Sequence, residues 1–125
     1  MRSIYAAFIP IAQCQQTAED WLNKGVALYS ESKYDEAIKA YDEAIRLDPD
    51  FADAWYKKGV ALKNQGEYDE AIEAYDEAIQ LAPYYVAVAA TWNNKGNALK
   101  ALGRTAEADA AFAKAKELRA TAPTN

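Results

Sequence analysis

Between Tyr34 and Arg46 the large apolar residues fall at Tyr34, Ile38, Tyr41 and Ile45, and the positions between them include Asp35, Glu36, Lys39, Asp42, Glu43 and Arg46. Steps of three and four residues keep one face of an α-helix apolar and the other charged, so the segment predicts an amphipathic helix. The pattern returns at Tyr68, Ile72, Tyr75 and Ile79, again with an acidic outer face. Each of these segments is preceded by a second helical one, opening WLNKGVAL at Trp21 and WYKKGVAL at Trp55, and a third such opening, WNNKGNAL, stands at Trp92. Six helices are expected at about 18–30, 34–47, 51–64, 68–81, 86–102 and 105–119, with ends uncertain by roughly two to four residues. Start signals are read at Thr17 with Asp20, Ser32 with Asp35, and Asp50 with Asp53. Gly66 and Gly103 are read as turn breakers inside the second and third pairs.

The helices come as copies of one unit. Residues 18–51 align with 52–85 without a gap, and 20 of the 34 aligned positions are identical. The third copy follows after three extra residues, because Trp21 and Trp55 are 34 apart while Trp55 and Trp92 are 37 apart. A helix pair of this size cannot bury its apolar face alone and must stack on its neighbours. Gly25, Gly59 and Gly96 sit inside helical patterns at a cost of about 1 kcal/mol each relative to Ala. The compensating gain is expected from close approach of the partner helix at the small Ala37, Ala71 and Ala108, with Trp and Tyr or Phe filling the space on either side.

These copies resemble the tetratricopeptide repeat, a helix-turn-helix unit of 34 residues. The resemblance rests on Trp21, Gly25, Leu28, Tyr34, Ala37, Tyr41, Ala44 and Pro49 in the first copy and on Trp55, Gly59, Leu62, Tyr68, Ala71, Tyr75, Ala78 and Pro83 in the second. In the third it rests on Trp92, Gly96, Leu99, Ala108, Phe112 and Ala115, with Thr105 in place of the Tyr and Ala120 in place of the closing Pro. It implies an all-α fold, a short right-handed α-solenoid of three stacked antiparallel helix pairs spanning 17–119. It also implies a concave groove lined by the first helix of each pair, which binds an extended peptide or a partner helix. Carried over by position, the groove residues are Leu22, Asn23, Val26 and Tyr29, then Tyr56, Lys57, Val60, Lys63 and Asn64, then Asn93, Asn94, Asn97 and Lys100. The best-known subclass clamps the acidic tails of cytosolic chaperones with Lys, Asn and Arg side chains. That clamp would need other residues where Leu22, Val26, Lys57, Ala90 and Asn94 stand, so binding of that type is not expected.

Charge refines the picture. The net charge is -5 and the pI near 4.7, which disfavours nucleic acid and anionic membranes as partners. The acid is unevenly placed: the third predicted helix has Lys57, Lys58 and Lys63 against Asp53, while the fourth has Asp69, Glu70, Glu73, Asp76 and Glu77 and no basic residue. The groove is therefore expected to be the least negative face, fit for an acidic or C-terminal carboxylate ligand steered by Lys57, Lys63 and Lys100, with Asn23, Asn94 and Asn97 contacting its backbone. No histidine is present, and Cys14 is the single cysteine. One chain thus holds no Ser/His/Asp or Cys/His arrangement and no His or multi-Cys zinc set. The paired carboxylates Asp35/Glu36, Asp69/Glu70 and Asp76/Glu77 lie on solvent faces, where they serve solubility. No enzymatic activity, cofactor or metal is expected.

Residues 1–16 have no place in the repeats. They are apolar, and they are expected to form an arm that packs on this chain or on a neighbour; Arg2, the run from Ile4 to Ala12, and Cys14 also sketch a weak export or lipid-anchor signal. Without such a signal the cytoplasm is favoured. No run is long enough for a spanning helix. The three extra residues, near Tyr84 to Val88, are expected to lengthen the start of the fifth helix. No separate capping helix follows the third copy, so the arm is expected to cover an open end, and residues 120–125 form a tail. The reading is a non-enzymatic protein-interaction module. Its alternative is a self-assembling scaffold, in which the arm or the uncapped last repeat joins copies of the chain into a homo-oligomer.

Overall fold

The computed structural model describes residues 16–83 and 87–121. Six helices follow in order: α1 (Ala18–Ser30), α2 (Tyr34–Leu47), α3 (Ala52–Asn64), α4 (Tyr68–Leu81), α5 (Val88–Ala101) and α6 (Thr105–Thr121). They pair as α1 with α2, α3 with α4 and α5 with α6. Each pair packs on the next through its second helix, α2 on α3 and α4 on α5. The result is a short α-solenoid in which a unit touches only its neighbours.

Only the first of the predicted start signals acts as one. Thr17 Oγ1 accepts from the Asp20 N–H at 3.1 Å, and Asp20 Oδ2 accepts from the Thr17 N–H at 3.0 Å, a reciprocal capping box. At α2 the cap is Lys33 and at α3 it is Phe51, neither with a side-chain cap hydrogen bond. Asp50 is instead engaged in the preceding turn, where its N–H donates to Asp48 Oδ1. Ser32 has another duty. It has φ 62°, in the left-handed region, and aligns with Gly66 (81°) and Gly103 (78°). In each pair this residue and the next donate backward, as with Ser32 N–H to Tyr29 O and Lys33 N–H to Leu28 O, both at 2.9 Å. This is the left-handed helix ending that usually takes glycine. The first turn makes it with a serine.

The core consists mostly of alanine. Ala37, Ala44, Ala54, Ala61, Ala71 and Ala98 are fully buried, while Ile38 and Ile45 are only half-buried. Small side chains let the helices approach closely, and the aromatic rings fill what remains. At the glycines it is a ring, not the expected alanine, that needs the room. A Cβ on Gly59 would lie 2.5 Å from the Tyr75 ring and one on Gly96 2.5 Å from the Phe112 ring, and Tyr41 stands over Gly25 in the same way.

Between units, Lys58 pairs with Asp42 at 2.7 Å while lying over the Trp55 ring, and Lys95 pairs with Asp76 at 2.6 Å over Trp92. Trp55 Nε1 donates to Pro49 O across the same junction. Lys24 lies over Trp21 in the first pair, where no earlier pair supplies an aspartate.

The face of α6 that corresponds to the stacking face of α2 and α4 is polar. Positions held by Ile38 and Ile72, and by Ile45 and Ile79, become Asp109 and Lys116, both exposed. The last helix is thus its own polar cap. At the other end Asp20, exposed, stands where Ala54 and Thr91 are buried. The arm itself and Cys14 lie outside the described residues, as do 84–86 and 122–125. Of the extra segment, Ala87 caps α5 and Val88 begins it, buried; relative to α3 the helix starts one residue earlier. No described helix is long and apolar enough to cross a membrane.

Candidate peptide-binding groove

α1, α3 and α5 present the face that the sequence marks as the groove. Between α1 and α3 it sinks into a hollow of about 210 Å³ lined by Val26, Tyr29, Tyr41, Tyr56, Lys57 and Val60. Val26 is 40% exposed, an apolar side chain left facing water. Tyr41 reaches the hollow from α2 and is its floor, a contribution the groove pattern of α1 and α3 does not contain. The close seat of its ring on Gly25 brings it there. Burial pushes the Tyr41 hydroxyl up to about 12, so it stays protonated at neutral pH.

Leu22 is a correction to the expected groove set. It is 3% exposed and packs with Ala37, Tyr41 and Ala44 in the core of the first pair, so it offers no surface to a ligand. Its counterparts Tyr56 and Asn93 are half-buried. Asn23, Asn97 and Lys100 are exposed on the face, and Lys57 and Val60 are half-buried on the wall of the hollow.

The two sides of the groove are braced by polar bridges between first helices. Asn64 Nδ2 donates to Tyr29 Oη, joining α3 to α1. Lys63 Nζ donates to Asn94 Oδ1 at 2.6 Å, and Asn94 Nδ2 donates to Tyr56 Oη at 3.2 Å and to Ala90 O at 3.0 Å. Both N–H bonds of the Asn94 amide are therefore spent inside the protein. This corrects the expectation that Asn94 contacts a ligand backbone: it ties α5 to α3. Its equivalence to Lys57 and Asn23 in the aligned copies gives no hint of that role, which depends on two residues more than thirty positions away. Burial lowers the Lys63 ammonium below the usual lysine range and raises the Tyr56 phenol. One step deeper, Tyr75 is wholly buried, its ring 6.1 Å from that of Tyr56 and its hydroxyl without a hydrogen-bond partner among the described residues; burial raises its pKa as well.

The cations divide by face. Lys58 and Lys95 are neutralised by Asp42 and Asp76 on the far side of α3 and α5. Lys57, Lys63 and Lys100 form no ion pair among the described residues, although Lys63 has the Asn94 amide. The hydroxyls, amides and lysines here can bind and orient an extended chain. Among the described residues no group of three or more His, Cys, Asp or Glu is placed to hold a metal ion.

Known proteins place this architecture. No curated protein matches the chain. Among solved structures it is similar to that of MamA, at 34% identity and a TM-score of 0.78 over 82% of this chain and 58% of that one. The chain thus spans a little under three-fifths of that relative's length. It is also similar to the second tetratricopeptide domain of Spaghetti (RPAP3) bound to HSP90 peptide SRMEEVD, at 27% identity and a TM-score of 0.77 over 88% of this chain and 99% of that one. The first such domain of the same protein, at 24% identity and a TM-score of 0.79 over 86% and 82%, shows the shared fold. Models of the tetratricopeptide repeat match residues 22–86 and 89–121. With three helix pairs, the Trp, Gly and Ala positions of each in register, and both matches falling on them, the chain belongs to the tetratricopeptide repeat family.

Proposed function

We propose that this domain is a non-enzymatic protein-interaction module whose α1–α3–α5 face binds an extended, acidic segment of a partner protein. The observation that carries the reading is the hollow between α1 and α3, apolar on its walls, on a face whose lysines Lys57, Lys63 and Lys100 lack carboxylate partners among the described residues. Unpaired cations beside apolar surface attract an acidic chain and leave its apolar side chains a place to bury. A related domain is described bound to an acidic peptide, which supports this class of ligand. The residues that differ from the chaperone-tail clamp support a different mode of holding it.

The scaffold alternative finds less support at the ends. Asp109, Lys116 and Asp20 replace the apolar or small residues that pack one unit on the next, so stacking of copies through the last repeat would bury charged side chains. Assembly through residues 1–16 rests on a segment of which 1–15 lie outside the described residues.

Amide chemical-shift mapping with a synthetic extended peptide rich in Glu and Asp tests the reading. Shifts gathered at Val26, Lys57, Asn97 and Lys100 are expected. Shifts confined to α2, α4 and α6, or none at millimolar peptide, would overturn it.

A further inference from the structure

Resting on that reading, we infer that the groove is divided into two unlike subsites, so that its ligand carries one bulky apolar residue at the α1–α3 hollow and a carboxylate about three residues away, toward α5. The division follows from how the three first helices differ. The α1–α3 side has Val26, Tyr29, Tyr41, Tyr56 and Val60, with Lys57 beside them, around about 210 Å³ of space, enough to bury an aliphatic or aromatic side chain. On the α3–α5 side, one unit along, Val26, Tyr29, Tyr56, Lys57 and Val60 are matched by Val60, Lys63, Asn93, Asn94 and Asn97, and Lys100 follows on α5. There the Lys63–Asn94–Tyr56 bridge crosses from α3 to α5, giving a polar surface with cationic groups.

The distance between the subsites sets the spacing in the ligand. Packed helices lie about 8–10 Å apart, and an extended chain advances about 3.3 Å per residue. Moving across one helix therefore takes about three residues. Lys57, which lines the hollow, disfavours basic residues in the connecting segment.

The bridges make the division durable. Asn64 to Tyr29 holds α1 and α3 at the width of the hollow, and Asn94 to Tyr56 holds α5 against α3. A ligand meets a surface already arranged, so selectivity lies in what it carries and where.

The test uses the full chain and four labelled serine-glycine peptides read by fluorescence anisotropy. The first has one phenylalanine with one glutamate three positions on, the second replaces the phenylalanine by alanine, the third replaces the glutamate by glutamine, and the fourth sets the two residues side by side. The first should bind most tightly, the alanine peptide about tenfold or more weaker, and the glutamine peptide about two- to fivefold weaker. Val26→Ser should abolish the phenylalanine preference and spare the glutamate preference, and Lys100→Gln should do the reverse. Equal weakening of all four peptides by both variants, or no penalty for the side-by-side peptide, would overturn the two-subsite inference while leaving the groove as the binding surface. Binding that neither variant changes would overturn the groove reading as well.

Discussion

α4 and α6 are equivalent helices of successive repeats, and among the described residues only α4 carries a following pair. α4 packs Ile72 with Ala98 and Leu99 of the third pair and places Asp76 against Lys95. α6 has Asp109 and Lys116 where Ile72 and Ile79 stand, and Ala113 where the aspartate stands. What the two helices share is the inward face: Ala71, Ala74 and Ala78 correspond to Ala108, Ala111 and Ala115, all buried. The lesson is that closing a pair and joining pairs are written on different stripes of one helix. The first stripe is kept in every copy, and the second is erased where the array ends.

Exchanging residues between the stripes should break that contrast most severely. Ile72→Asp puts a carboxylate at a site 8% exposed, and should cost about 3–5 kcal/mol in denaturant unfolding. The mirror change, Asp109→Ile with Lys116→Ile, should leave the monomer's stability nearly unaltered and give concentration-dependent association by light scattering, because it restores a stacking face with nothing to cover it. A monomer at all concentrations would show that those two positions do not decide where the array stops.

Alkaline pH should come next in size. Tyr41, with a folded-state pKa pushed up to about 12 from the ordinary 10, must lose its proton in a buried site. The folded chain then holds protons that the unfolded chain releases, so stability is unaffected below pH 10 and falls as pH rises from about 10 to about 12, by on the order of 2 kcal/mol from this residue. Tyr75 should add to the loss, and Phe112, which has no hydroxyl, should not. Unfolding curves of Tyr41→Phe and the parent chain across that window should diverge, and parallel curves would assign the loss elsewhere.

A smaller change separates ring packing from helix propensity. Gly59→Ala improves intrinsic helicity by about 1 kcal/mol but forces a methyl against the buried Tyr75 ring, an overpacking of about 1–3 kcal/mol. Net destabilisation of about 1–2 kcal/mol is expected, and a stabilised variant would mean that the ring moves freely. Smallest is Ser32→Gly, which gives the first turn the glycine of the other two. Relief of a left-handed serine outweighs the added freedom of the unfolded chain, for a gain of about 0.5–1 kcal/mol readable as a higher Tm.

Much of this architecture is legible in the order of the residues. Repeat spacing and the three-four pattern of Tyr34, Ile38, Tyr41 and Ile45 mark the helices, and the ends of the first four agree to within about a residue. The misread starts at Ser32 and Asp50 share one cause. A short polar residue before a helix fits both a cap and a turn, and the backbone bonds of the turn win here. Comparing Ile38, Ile72 and Asp109 down the copies already contains the signal for the polar face of α6.

By itself the sequence determined the class of fold and the pairing of helices, because these follow from periodicity and from repetition, which are local and additive. Tertiary structure alone decided that Leu22 is core, that Tyr41 floors the hollow, that Asn94 is a brace, and that Tyr75 buries an unpartnered hydroxyl. Each of those depends on how far one helix sits from another. Position in a repeat states which way a side chain points, and only the packed neighbour settles what it meets there.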